Sequence, residues 1–444
     1  MEVASCSNAG LAQRVNALGT LQGQRLQYDK SAVTHWLQGK RPRGVVPSLI
    51  AEALSQKLGS PVTLAEIGLD DGPELDIGAR SLVLRDLADT LDVASELGQA
   101  DMERRSFLYL LPFSVAAAAG PQRDWLLHLL QSGRQGRDSK VGEAEVAGLH
   151  TMMESFTKGD LQLGGQHARM ALVSYLTNDV VPLLRRQAQS DEISEELFAG
   201  AADLYMLLGW KTYDTGAYGL AQRYLLQGLQ LAREGGDKGL SVGSVVLSSM
   251  SNLAVSAGDA NEAVKLAEAA GHSAVKANSP GAMTRAHAME ARAHASLGDG
   301  RRSAASISRA EHAQEVEKDR DPAWMQFMDG AYLANQMAFS FRELDDRTNM
   351  ERAANLSLSN SQGRQVGSNS VYIATAKLRG GDIDEACKHA LRAAEIARKL
   401  KSKMVENLVT DFWVELQRTK DRHRVREFGR SLAGLMPDIT FPTA

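Results

Sequence analysis

From Asp29 to Arg43 the chain reads Asp-Lys-Ser-Ala-Val-Thr-His-Trp-Leu-Gln-Gly-Lys-Arg-Pro-Arg, and its polar side chains are of two kinds. Lys30, Ser31, Thr34, His35 and Gln38 carry groups that can hydrogen-bond a base edge. Lys40, Arg41 and Arg43 carry the charge that phosphates attract. An element has to hold these groups, and the spacing predicts a short helix. Asp29 or Ser31 can cap it by accepting from orphaned backbone N–H groups. Val33, Trp36 and Leu37 fall at i, i+3 and i+4, which predicts one buried face with Trp36 as a core anchor. Gly39 stops the helix, and Pro42 prevents its resumption. A helix with polar side chains outward and cations at its end suits the major groove of double-stranded DNA.

This stretch resembles the recognition helix of lambda-repressor-like (XRE-type) helix-turn-helix domains, in the variant of actinobacterial, Streptomyces-type regulators with tetratricopeptide repeats behind it. The resemblance extends from Leu11 to the C-terminal helices. Leu11, Val15 and Leu18 form one helical stripe closed by Gly19, in the place of the helix before the recognition helix. Only ten residues precede Leu11, and Thr20–Tyr28 exceeds a compact turn of three to four residues. It is either a loop or an excursion that carries Arg25 toward phosphate. The resemblance implies a transcription regulator, often one of development or secondary metabolism. Its expected partners are a DNA operator and a second copy of the chain. The alternative is an adaptor that works through repeat–protein contacts behind a degenerate head that no longer binds DNA.

Bulk numbers fit either reading. The 444 residues are 43% hydrophobic and 23% charged, with only 5% aromatic, a balance that favours helices packed on helices. The net charge of -4 argues against wholesale coating of nucleic acid, but its distribution is uneven. Residues 1–60 hold seven Lys or Arg against three acids, a basic head of +4 on a remainder of -8. Cys6 and Cys387 stand at opposite ends of the chain, so neither a disulfide framework nor a Cys-rich metal site is expected. No signal peptide and no apolar run of about 20 residues is visible, which predicts a cytoplasmic protein without a membrane partner.

Behind the head, Pro47–Leu58 is an amphipathic helix stopped at Gly59–Pro61. Val62–Leu69 adds a further helical turn, and Asp70–Glu74 is a polar break. The expected domains are residues 1–70, a helical connector at 71–142 and a repeat region at 143–444. In the connector, Arg80–Leu97 is amphipathic and Gln131–Lys140 reads as a loop. Arg104, Arg105, Phe107 and Leu108 before the apolar run Phe107–Ala119 look like a twin-arginine export signal. A position about a hundred residues into the chain, with Pro112 interrupting the run, favours an inter-domain helix instead.

From about residue 143 the chain repeats. Leu208, Gly209, Tyr213, Gly216, Ala217, Tyr218, Ala221, Leu225, Gly228 and Leu231 alternate small and large as in a tetratricopeptide unit. The punctuation returns at Gly258-Asp259, Gly298-Asp299 and Gly381-Asp382, with a weaker copy at Leu344–Met350. Leu149–Tyr175 reads as a divergent first pair, and Met404–Leu435 as a closing pair with Trp413 and Phe428 inward. The expected fold is therefore all-α, an N-terminal helix-turn-helix domain followed by a tetratricopeptide-like α-solenoid.

First-helix positions of these units should line an inner groove: Asp203, Trp210, Tyr213, Asp214, Asn252, Arg285, Arg292, Tyr332, Asn335, Phe339 and Arg342. Amide, Arg and aromatic groups in a concave face suit a peptide, a small ligand or a protein segment; solvated residues without a ligand are the equal alternative. No enzyme signature is present: no P-loop, no Gly-rich strand-to-helix turn, no nucleophile elbow, no zincin helix. His287, Glu290 and His294 share a helix at i, i+3 and i+7, but without ligand spacing elsewhere they predict packed or solvated side chains. No cofactor, metal or catalytic residue is expected.

Overall fold

The computed structural model describes residues 4, 6–21, 26–58, 62, 64, 66–69, 77–78, 80–82, 86–103, 111, 113–114, 117, 141–163, 165–316, 321, 325 and 328–437. Arg25, the stop at 59–61, the break at 70–74, the arginine pair 104–105, most of the run 107–119 and the loop at 131–140 lie outside them. The fold is all-α and solenoid-like. Among the described residues there is no strand, only an isolated bridge between Val141 and Ala188.

Two compact units divide the chain. The first comprises 1–151, 170–213 and 217–273; the second comprises 152–169, 214–216 and 274–444. Head, connector and the first repeats fall in the same unit.

The first unit begins with a three-helix head, α1 (Asn8–Leu21), α2 (Lys30–Leu37) and α3 (Val46–Leu58). Leu11, Val15 and Leu18 meet Val33 and the stripe Val46, Leu49, Ile50, Ala53, Leu54 in one apolar core. The connector supplies α4 (Leu87–Met102), capped by Asp86. Then follow α5 (Glu143–Leu163) and α6 (Gly165–Tyr175), of which residues 152–169 belong to the second unit. A π turn at Leu176–Val180 leads on to α7 (Val181–Leu184).

The first clear repeat pair is α8 (Asp191–Asp214) with α9 (Tyr218–Glu234), followed by α10 (Gly236–Ser256) and α11 (Ala260–Ala277). Gly209 lets α8 and α9 approach, since a Cβ there would stand 2.6 Å from Leu225 Cδ2. Between α10 and α11 the contact is polar as well as apolar. Ser244, Ser251 and Ser273 donate to the carbonyls of Ala270, Ala263 and Leu240 at 2.8, 2.7 and 2.7 Å. Helix α10 is long and apolar enough to cross a membrane, yet 83% of its most apolar 18-residue window is buried in protein packing.

Helix α9 is covered along both faces, from Gly219 to Ala232. A second helix of a repeat normally keeps a solvent side, but here the connector takes that place. Gln222 pairs with the Ser114 backbone in both directions at 2.7 Å. Arg223 Nε donates to Gly78 O at 2.7 Å, and the Tyr224 hydroxyl donates to Asp101 Oδ2 of α4 at 2.5 Å. Burial pushes the Arg223 guanidinium below the ordinary arginine range, and the charge of buried Glu52 on α3 opposes that shift. Head, connector and α9 therefore cluster together.

The second unit contains the pairs α12 (Pro280–Ser296) and α13 (Gly300–Gln314), α14 (Gly330–Glu343) and α15 (Arg347–Leu358), α16 (Arg364–Arg379) and α17 (Ile383–Leu400), α18 (Lys403–Leu416) and α19 (Arg422–Leu435). Phe412, Trp413 and Phe428 pack inward in the closing pair, with Trp413 stacked on Phe428 at 5.9 Å. The Gly-Asp punctuation marks the turn inside the pairs α10–α11, α12–α13 and α16–α17. The glycine takes a positive φ, and the aspartate caps the next helix, as Asp299 does for Arg302 N and Asp382 for Glu385 N. In the weaker copy Asp345 itself adopts φ 57° and Asp346 is the cap.

At Gly258, φ is 83° and a Cβ would meet nothing within 4 Å. Gly258→Ala should therefore cost about 1–2 kcal/mol through the backbone alone. Thermal denaturation checks this, and an unchanged midpoint would contradict the left-handed turn.

Candidate nucleic-acid interface

Asp29 caps α2 by accepting from Ser31 N at 3.0 Å and Ala32 N at 2.9 Å. The Ala32 bond, with that of Ser31, holds its carboxyl below the usual range. The helix ends two turns later, where Gly39 turns the chain at φ 97°. Pro42 is buried beyond it, and the chain enters α3 at Val46. The interval between α1 and α2 is held by a side chain. Asn16 donates to Tyr28 O and accepts from Tyr28 N, both at 2.8 Å, so one amide mimics a strand pairing. Tyr28 in turn meets Trp36 edge-on at 5.0 Å.

Lys30, Ser31, His35, Gln38, Lys40, Arg41 and Arg43 are all exposed. Thr34 is half-buried: its hydroxyl donates to Lys30 O at 2.9 Å and accepts from Asn8 Nδ2 of α1 at 3.1 Å. Its hydrogen-bonding capacity is thus engaged within the head. Val33 is buried and Trp36 half-buried, but Leu37, expected beside them, is 62% exposed. At about 100° per residue, Trp36 and Leu37 lie on opposite sides of Val33. The core formed with α1 and α3 takes the Val33–Trp36 arc and leaves Leu37 outside.

Sequence reasoning misses Asn8 and Asn16. The available signal at Asn16 is an asparagine inside a helix, where its propensity is poor unless the side chain has a partner.

The expected groove residues are for the most part not solvated lining. Tyr213, Asn252, Arg285, Tyr332 and Asn335 are buried, while Trp210, Arg292 and Phe339 keep partial exposure. Asp203 and Asp214 are buried as well, and Arg342 pairs with Asp411 at 3.0 Å. In the first unit Tyr213 stacks between Trp210 and Tyr218 at 5.3 Å on each side, and its hydroxyl meets Ser256 Oγ at 2.9 Å.

In the second unit the polar groups bond one another. Arg285 Nη1 donates to the Tyr332 hydroxyl at 3.0 Å. Arg292 donates to Gln336 at 2.6 Å and lies 3.8 Å from the centre of the Phe339 ring. Gln336 continues to Asn335, which donates to Ser368 and Asn369 of α16. The structure thus brings these residues together as a cross-brace between first helices.

His287 and Glu290 also meet, but around an arginine. His287 Nδ1 lies 3.2 Å from Glu290 Oε2, Arg309 Nη2 lies 2.8 Å from Oε1, and His294 stands off at 3.8 Å. The guanidinium already neutralises the carboxylate. Among the described residues no group of three or more His, Cys, Asp or Glu could hold a metal ion.

Comparison with known proteins adds one finding to these geometries. Residues 1–70 match the family model described as the SP15 N-terminal domain. No curated protein matches the chain significantly.

Burial pushes the Glu290 carboxyl up, but hydrogen bonds and charge from His287 and Arg309 outweigh it and hold it at about 2, below its ordinary 4.5. Its stabilising contribution is therefore complete above pH 4.5 and is lost as pH falls from there toward 2. Glu290→Gln should remove up to about 3 kcal/mol at neutral pH. It should also flatten the acid limb of the stability curve. Urea denaturation across pH checks both, and an acid limb identical to wild type would contradict the pairing.

Proposed function

We propose that the chain is a DNA-binding transcription regulator of the lambda-repressor-like, repeat-bearing kind, working in the cytoplasm. In this reading α2 is the recognition helix and the segment 38–43 its phosphate clamp. One observation carries it: the inner side of a capped, abruptly stopped helix is committed to the head core, while Lys30, Ser31, His35 and Gln38 face solvent and exposed Lys40, Arg41 and Arg43 follow at once. His35 and Gln38 read base edges; the cations hold phosphates and set the register. A helix of this length reads few base pairs, so useful specificity calls for two half-sites and a dimer, which we assign to the repeat region.

Mobility-shift titration of the full chain on its own upstream region, across a salt series, tests this. Lys40→Ala with Arg43→Ala should weaken binding to all duplexes alike and reduce the salt slope by about 0.9 for each phosphate left without its cation. His35→Ala or Gln38→Ala should each cost about 1–3 kcal/mol of discrimination between preferred and random duplex. An absence of retardation even at low salt would overturn the proposal in favour of the adaptor reading.

A further inference from the structure

Leu37 is the outlier of the head. It ends α2 with 62% of its surface exposed. Among the described residues of the head the other large apolar side chain in the open is Leu58, at 39% and at the end of α3. By helical spacing Leu37 lies on the same side of α2 as Lys30, two turns earlier, and just ahead of Lys40, Arg41 and Arg43. A leucine held in water among cations and amides gains free energy only when a partner covers it. The surrounding charge selects that partner as a polyanion. The apolar group that a duplex presents in its major groove is the C5 methyl of thymine. Thr34, one turn earlier, is held within the head by Asn8 and the Lys30 carbonyl, which leaves Leu37 as the apolar contact on this side of the helix.

We infer that Leu37 is a specificity-determining residue that reads a thymine methyl in each half-site. The inference rests on the DNA-binding reading above and makes it more specific. The preferred sequence should contain a thymine opposite the last turn of α2, and 5-methylcytosine, with the same methyl in the groove, should be accepted there better than cytosine.

The test uses the full chain and a random-sequence duplex pool, from which preferred sequences are enriched. Each thymine of the enriched duplex is then replaced in turn by deoxyuridine, which lacks only the methyl. Wild type should bind about fourfold more weakly when one particular thymine of each half-site is replaced, the loss expected for one small apolar group. Leu37→Ala should bind the thymine and deoxyuridine forms alike. An enriched sequence on which wild type ignores every replacement overturns the inference and leaves DNA binding standing, as does a full penalty retained by Leu37→Ala. A pool that yields no enriched sequence overturns the DNA-binding reading itself. Because the deoxyuridine arm changes only the DNA, it does not depend on how the variant folds.

Discussion

A helix that buries Gln222, Arg223 and Tyr224 must find partners for them inside the protein, because an unpaired buried polar group costs several kcal/mol. Helix α9 is in this position, and the connector resolves it: the Ser114 backbone, the Gly78 carbonyl and the Asp101 carboxylate each take one of the three side chains. The charge of buried Glu52 acts on the same guanidinium and opposes part of the lowering that burial causes. This demand ties the connector to α9. Head and connector are folded onto the first repeats instead of hanging from them on a linker. The head keeps its basic, hydrogen-bonding residues exposed on α2 and the segment after it.

Other buried polar side chains of the repeats are paired in the same way. Serine hydroxyls at the α10–α11 contact donate across to the facing helix. In the second unit Arg292, Gln336, Asn335 and Asn369 form a continuous brace through α12, α14 and α16. Buried networks of this kind hold neighbouring helices at a fixed spacing. Their members are used for packing between helices.

The repeat architecture was legible because its turns obey a local grammar. A glycine at positive φ followed by a capping aspartate leaves a trace that needs no tertiary context. Helix α2 was legible for the same reason, since Asp29 and Gly39 act within a few residues of themselves. The unanticipated features all depend on distant partners. Leu37 has the right period for a core residue and is exposed because the α1–α3 core takes the other side of Val33. Inner positions such as Asn335 and Arg285 have the composition of a binding groove and are buried by the next helix. The role of α9 was invisible because residues more than a hundred positions away cover it.

On the proposed reading, this protein meets its partner through α2 and the segment after it, while the inner faces of the repeats remain structural. Hydrogen exchange of the full chain with and without a bound duplex tests that division most directly. The expected result is slowed exchange across residues 30–44 on binding, with residues 285–342 unchanged. Slowed exchange in 285–342 with 30–44 unaffected would contradict it.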